Sequence, residues 1–189
     1  MHILEHLRTV NRHRHLVRKY CFRLGLYWQG LTHDLSKYSP TEFWRSAKYY
    51  QGYRSPNDQE RLVNGVSLSW LHHKGRNRHH FEYWIDYCRG EDGTPFIGGC
   101  KMPVKYVAEM FCDRIAACRV YQKEKYTDAS PYNYFQHSKG NLCRSEHGHG
   151  FIHPETSELL TRWLLLLKEQ GEDAAFRQIR QELRTLRRS

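Results

Sequence analysis

Between residues 102 and 120 the chain carries two apolar stripes at helical spacing. One runs through Val104, Ala108, Phe111, Ile115 and Cys118. The other, on the opposite side, runs through Met102, Tyr106, Met110, Ala117 and Val120. A helix that is apolar on two sides has to be buried, so other helices must surround it. Asp113 falls in the middle of the second stripe, and Glu109 lies one turn earlier on the same side. An isolated buried carboxylate costs on the order of several kcal/mol. Asp113 therefore needs a partner, either a metal ion or a cation such as Arg114.

The rest of the chain reads as helices to pack around that one. Ile3, Leu7, Val10, Val17, Cys21 and Leu24 recur at three- and four-residue steps and predict an amphipathic helix over residues 3–24. Ser39-Pro40-Thr41 opens a second helix over 42–50, with Glu42 at its positive end. A third is expected over 58–73, ending at Lys74-Gly75-Arg76-Asn77, and a short one over 80–87. Residues 90–103 read as a glycine-rich loop and 104–123 as the central helix. Residues 130–154 read as mostly irregular, before two helices over 155–169 and 172–186 split at Gly171. With no repeat and no alternating run of useful length, the expected fold class is all-α. The expected organisation is a core over 1–126, with a loop and C-terminal helices over 127–189 packed on it as one domain.

Composition narrows the partners. Hydrophobic residues make up 39% of the 189 and aromatic ones 14%, enough for a sizeable core. The formal charge of +10 favours an anionic partner, either a small phosphate-bearing substrate or nucleic acid. The longest apolar cluster, 163–167, is far short of the ~18 residues a membrane span needs, and no leader-like segment opens the chain. The six cysteines form no CxxC pair, which fits reduced thiols and a cytoplasmic location. A homo-oligomer is left open.

Thirteen histidines are many for this length, and their placement is informative. His33 and Asp34 are adjacent, and such a pair can offer a nitrogen and an oxygen to one divalent ion. On the first helix, His13 falls at the edge of the apolar stripe and His15 on the far side, with His6 a rival inward candidate. His72-His73 and His79-His80 bracket a glycine-containing turn, and one member of each pair is expected to face solvent. Glu82 and Tyr83-Trp84 are candidates to orient them. His137, His147, His149 and His153 lie in the stretch read as irregular.

The ordered set His13, His33-Asp34, His73 with His79-His80, and Asp113 resembles the HD-domain superfamily of metal-dependent phosphohydrolases. Leu31-Thr32-His33-Asp34-Leu35-Ser36-Lys37 resembles its second motif, with Ser36 where the family usually has glycine. Glu109 to Arg114 resembles its last motif. The extra histidines and Tyr83-Trp84 resemble a poorly characterised branch of HD-like proteins. The resemblance covers roughly residues 1–126 and implies an HD-like helical bundle. It further implies one or two divalent ions (Mn, Fe, Zn, Ni or Co) held by His13, His33, Asp34 and Asp113, with His73, His79 or His80 completing a second site and Asp34 bridging. The implied activity is hydrolysis of a phosphomonoester or phosphodiester, such as a nucleotide, by metal-activated water. Asp34 and Lys37 would be catalytic, with Lys37, Arg76 and Asn77 binding substrate.

Two other readings use the same residues. The HD fold also hosts di-iron oxygenases with a comparable histidine set, and imidazole and carboxylate serve iron as well as zinc or manganese. Alternatively, the chain is a non-catalytic basic module for nucleic acid or protein. In that reading Tyr49, Tyr50 and Tyr53 beside Lys48 and Arg54 stack bases.

Overall fold

The computed structural model describes residues 2–142 and 150–186. Among them it is mostly helical, with eight α-helices, three short 3₁₀ turns and one two-stranded hairpin. Helix α1 (Ile3–Arg23) runs as predicted and ends where Gly25 takes a positive φ of 75°. A short helix α2 (Tyr27–Thr32) doubles back along it. A Cβ on Gly30 would stand 3.1 Å from Cys21 Cβ and the Phe22 ring, so glycine permits that close approach. The 3₁₀ turn Leu35–Tyr38 follows, and then α3 (Pro40–Tyr49), whose Ser39 hydroxyl accepts from the Glu42 N–H.

The helix expected over 58–73 is two helices, α4 (Pro56–Asn64) and α5 (Leu68–Lys74). Gly65 stops the first with a φ of 75°, and Ser67 restarts the second by accepting from the Trp70 N–H. Buried Glu60 ties the two together, accepting from the hydroxyls of Ser67 and Ser69 at 2.6 and 2.7 Å. The helix expected over 80–87 is a 3₁₀ turn (Phe81–Trp84) leading into strand β1 (Ile85–Arg89). The segment read as a loop over 90–103 contains β2 (Pro95–Gly99), antiparallel to β1. Two five-residue, half-exposed strands give too little alternation to stand out. The turn signal was present as Asp92-Gly93, where Gly93 has a φ of 79°. The all-α class thus holds except for this hairpin.

Central helix α6 (Val104–Gln122) is buried on both sides, through Val107, Phe111 and Ile115 on one and Met110 and Val120 on the other. Part of the stretch read as irregular is helix α7 (Ser130–Leu142), whose start is fixed by the Thr127 N–H donating to Ser130 Oγ. Helix α8 (Pro154–Leu186) is broken at Gly171 (φ 80°, ψ 171°), as the sequence indicated. Its two halves cover the core with Leu160, Trp163, Leu164 and Leu167, then Phe176, Ile179 and Leu183. Arg23 and Arg119 pin the break through Glu172. The apolar core therefore lies between α1, α6 and α8, and the polar cluster below lies where α1 and α6 meet the 33–80 segment. The five described cysteines form no disulfide, and Cys143 lies outside the described residues. No helix among the described residues is long and apolar enough to cross a membrane.

Candidate metal centre

Four separate stretches of chain deliver the polar cluster. On α1, one turn from Val10 and Val17, His13 turns inward and is buried. His15 is exposed on the far side, next to Arg18. His33 caps α2, and Asp34 follows in the left-handed region with a φ of 53°. That conformation is uncommon for a residue with a Cβ but accessible to aspartate. It turns the chain sharply, and the carboxylate ends up 1% exposed beside its own neighbour's imidazole. His73 ends α5, while His79 and His80 precede the 3₁₀ turn. Asp113 and Glu109 come from one face of α6, one turn apart.

Asp34 is the hub. Its Oδ2 lies 3.3 Å from His33 Nε2 and 3.5 Å from His13 Nε2, and His13 Nε2 is in turn 3.0 Å from Asp113 Oδ1. Its Oδ1 lies 3.3 Å from His73 Nε2 and 3.4 Å from His79 Nε2. His73 and His80 bring their Nε2 atoms within 2.9 Å of each other. Two sets of four donors result, His13, His33, Asp34 and Asp113, and Asp34, His73, His79 and His80. Within each set the atoms lie within 4.8 Å of one another. The sets share Asp34.

Two carboxylates aim the rings. Glu109 Oε1 accepts from His33 Nδ1 at 2.9 Å and from His79 Nδ1 at 3.1 Å, so both Nε2 atoms face the cluster. Glu42 spans His72 Nδ1 at 2.6 Å and His73 Nδ1 at 2.8 Å. Ser36 sits 3.3 Å from His73 Nδ1 and accepts from Asn77 Nδ2 at 2.8 Å. The orienting roles expected of Glu82 and Tyr83-Trp84 fall instead to Glu42 and Glu109, and Trp84 Nε1 donates to the Arg78 carbonyl. Trp70 walls the second set, with ring centroids 5.5 Å from His73 and 4.7 Å from His80.

Hydrogen bonding leaves the centre of the cluster unsatisfied. His13 Nε2, His33 Nε2, His79 Nε2 and both Asp34 oxygens are buried without an aligned hydrogen-bond partner. Lys37 Nζ is 2.6 Å from Asp34 Oδ2, close enough for ion pairing but not aligned as a hydrogen bond. A buried polar atom without an aligned partner costs roughly 1–3 kcal/mol, and the five here have charged neighbours but no aligned hydrogen bond, an arrangement suited to a bound group. Nitrogen and oxygen donors of this kind are those of borderline divalent metals, so the residues fit an ion at either set.

Charge points the same way. Burial works against ionising Asp34 and Asp113. The imidazoles around them, with Lys37 for Asp34, outweigh it and hold both carboxyls well below their usual range. Burial also opposes charge on His33, but Asp34, Asp113 and Glu109 raise it well above the usual imidazole value. Burial and the neighbouring His79 and His73 keep His80 neutral.

A cavity of about 680 Å³ opens onto the cluster. His13, Lys37, His73, His80 and Asp113 line it from below, and Arg54, Trp70, Arg114, Tyr121 and His137 form its walls. Tyr53 belongs to this wall, whereas Tyr50 bonds Thr9 and Tyr49 accepts from Asn64. Arg76 and Asn77, expected to bind substrate, are not among its lining. They border a separate pocket of about 340 Å³ that reaches Glu109 and the rings of His33 and His79. Asn77 is buried and donates to the His73 carbonyl, and Arg76 donates to that of His72, so both hold the turn. His153 sits against the Glu155 N–H, and His147 and His149 lie outside the described residues.

A family match spans residues 2–165 and so includes every residue of the cluster. The chain belongs to DUF5662, a family of unknown function. No curated protein and no solved structure matches it. Within DUF5662, the match stops inside α8, before the break at Gly171.

Proposed function

We propose that this chain is a two-metal hydrolase of phosphate esters, with a nucleotide or another small phosphomonoester or phosphodiester as substrate. The observation that carries the proposal is the shared carboxylate. Asp34 turns one oxygen toward His13 and His33 and the other toward His73 and His79, and both its oxygens and the Nε2 atoms of His13, His33 and His79 lack an aligned hydrogen-bond partner. In this reading His13, His33, Asp34 and Asp113 hold one ion, and Asp34, His73, His79 and His80 hold the other. Bound there, divalent ions supply Lewis acidity toward phosphoryl oxygens and lower the pKa of water.

The chain's own residues supply the rest. Lys37 lies between Asp34 and the cavity, where its ammonium can meet a phosphoryl oxygen as a point charge. Arg54 and Arg114 extend the positive lining, and Arg114 is held over the Phe135 ring at 4.8 Å. Trp70, Tyr121 and Met110 limit the water around the ester. Glu109 and Glu42 hold the histidine rings in place throughout. The ordered resemblance to HD-domain phosphohydrolases supports the same reading, and the net charge of +10 suits an anionic substrate.

The test is metal content of protein purified without chelator, followed by phosphate release. Substrates would include nucleoside monophosphates, cyclic dinucleotides and generic aryl phosphodiesters, with Asp34→Ala as control. Up to two equivalents of metal and turnover abolished in Asp34→Ala are expected. Metal-replete protein that turns over no phosphate ester would overturn the hydrolase, and a coupled di-iron centre consuming dioxygen would replace it with an oxygenase.

A further inference from the structure

The smaller pocket has its own chemistry. It shares no lining residue with the large cavity and lies on the Nδ1 side of His33 and His79, where Glu109 forms its floor. Three cations surround it, Arg76, Arg78 and Lys105, and none has a carboxylate within ion-pair distance among the described residues. Aromatic rings hold two of them instead. Arg78 donates to the Tyr106 hydroxyl at 3.3 Å and lies over the Tyr83 ring at 5.7 Å, and Lys105 Nζ lies 5.0 Å from the Tyr106 centroid. The floor carboxylate is already engaged by two imidazoles, which leaves the rim strongly positive. Beside the cations, Trp28 projects from α2 with 73% of its surface exposed. A large indole left in water next to unpaired guanidinium groups offers a flat stacking face and phosphate donors in one place.

From this arrangement we infer a second ligand site, distinct from the large cavity, that takes a nucleotide unit with its base on Trp28 and its phosphate on Arg76, Arg78 and Lys105. The unit can be free or part of a single strand, since base and phosphate are the same in both. None of its cations belongs to either donor set, and His33 and His79 meet it from their Nδ1 side while their Nε2 atoms face the cluster.

Binding of adenosine monophosphate and of an end-labelled short oligothymidylate would be measured by calorimetry and anisotropy. Inorganic phosphate serves as a comparison, with and without EDTA. Wild type should bind the nucleotide, the strand or both, more tightly than phosphate, and binding should weaken with salt. Arg78→Ala/Lys105→Ala and Trp28→Leu should each weaken it about tenfold or more. All three positions are exposed, so these variants should fold. EDTA and Arg54→Ala, which weaken nucleotide capture in the large cavity, should leave in place the share of binding that Arg78→Ala/Lys105→Ala removes. Binding of the strand alone would assign the site to nucleic acid, and binding of both would assign it to the nucleotide unit. The inference is overturned if neither ligand binds, or if phosphate binds equally well. It is also overturned if binding survives Arg78→Ala/Lys105→Ala but is lost in Arg54→Ala. Retained binding in a protein that hydrolyses nothing would leave this site standing while the hydrolase fell.

Discussion

Asp34 serves both donor sets at once, whereas the carboxylates behind the histidines divide their work unequally. Glu109 orients one ring from each set, His33 and His79, while Glu42 orients His73 alone among the donors. Losing such an outer partner typically costs 10–100-fold in metal affinity. Glu42→Gln should therefore weaken one equivalent of metal by about 10–100-fold and spare the other, whereas Glu109→Gln should weaken both. Titration with a competing chelator checks this, and equal effects of the two variants would contradict the assignment. A different residue-scale prediction concerns His6, which packs on Phe43 and Tyr50 with its ring buried. Burial, then the charge of Lys37, lowers its pKa from 6.5 to about 4. The unfolded chain takes up this proton near pH 6.5 and the folded chain only near pH 4, so acid favours unfolding. Stability should fall as pH drops from about 6.5 to about 4 and the His6 contribution should then level off. Urea melts of His6→Leu should show a shallower decline in that window.

At the scale of elements, the hairpin rests on one contact that tolerates no side chain. A Cβ on Gly99 would lie 2.5 Å from the Phe151 carbonyl oxygen and 2.7 Å from the His153 nitrogen, both backbone atoms. Gly99→Ala should cost roughly 1–3 kcal/mol by overpacking, measurable as a lower urea midpoint. Gly93→Ala, with open space but a positive φ, should cost about 1–2 kcal/mol through backbone strain alone. This hairpin also marks where sequence reading reached its limit. Helices α1 and α6 declare themselves because their apolar spacing persists over five turns, and with them come His13, Glu109 and Asp113 on known faces. β1 and β2 are too short to show a period, and α7 was hidden by its polar residues, with Phe135 the only fully buried large side chain among its described positions. The side chains that gather in the polar cluster could be named from the chain because their order is distinctive. Glu42 could not, since it looks like an ordinary first-turn acid. Only folding α3 against α5 places it behind His72 and His73. Arg76 and Asn77 lie between the histidine pairs in sequence, and the turn they belong to borders the smaller pocket, not the large cavity.

For the whole molecule, metal and stability should be linked. An ion that binds the folded chain and not the unfolded one stabilises by RT ln(1 + [L]/Kd), about 2.7 kcal/mol at a hundredfold excess over Kd. For a chain of this size, that corresponds to a rise in Tm of about 5–10 °C. Thermal scans with added manganese or zinc should show the rise, and EDTA should reverse it. Asp34→Ala should lack the shift altogether. Helix α6 gives this linkage a direction. It carries Glu109 and Asp113 on one face and Phe111 among the buried aromatics on another, against Trp163 and Phe176. A lesion far from any donor, such as Phe111→Ala, would let α6 settle toward the void and carry both acids with it. If the cluster holds metal as proposed, damage to the oily interior would announce itself first as loosened ion binding in a protein that is still folded.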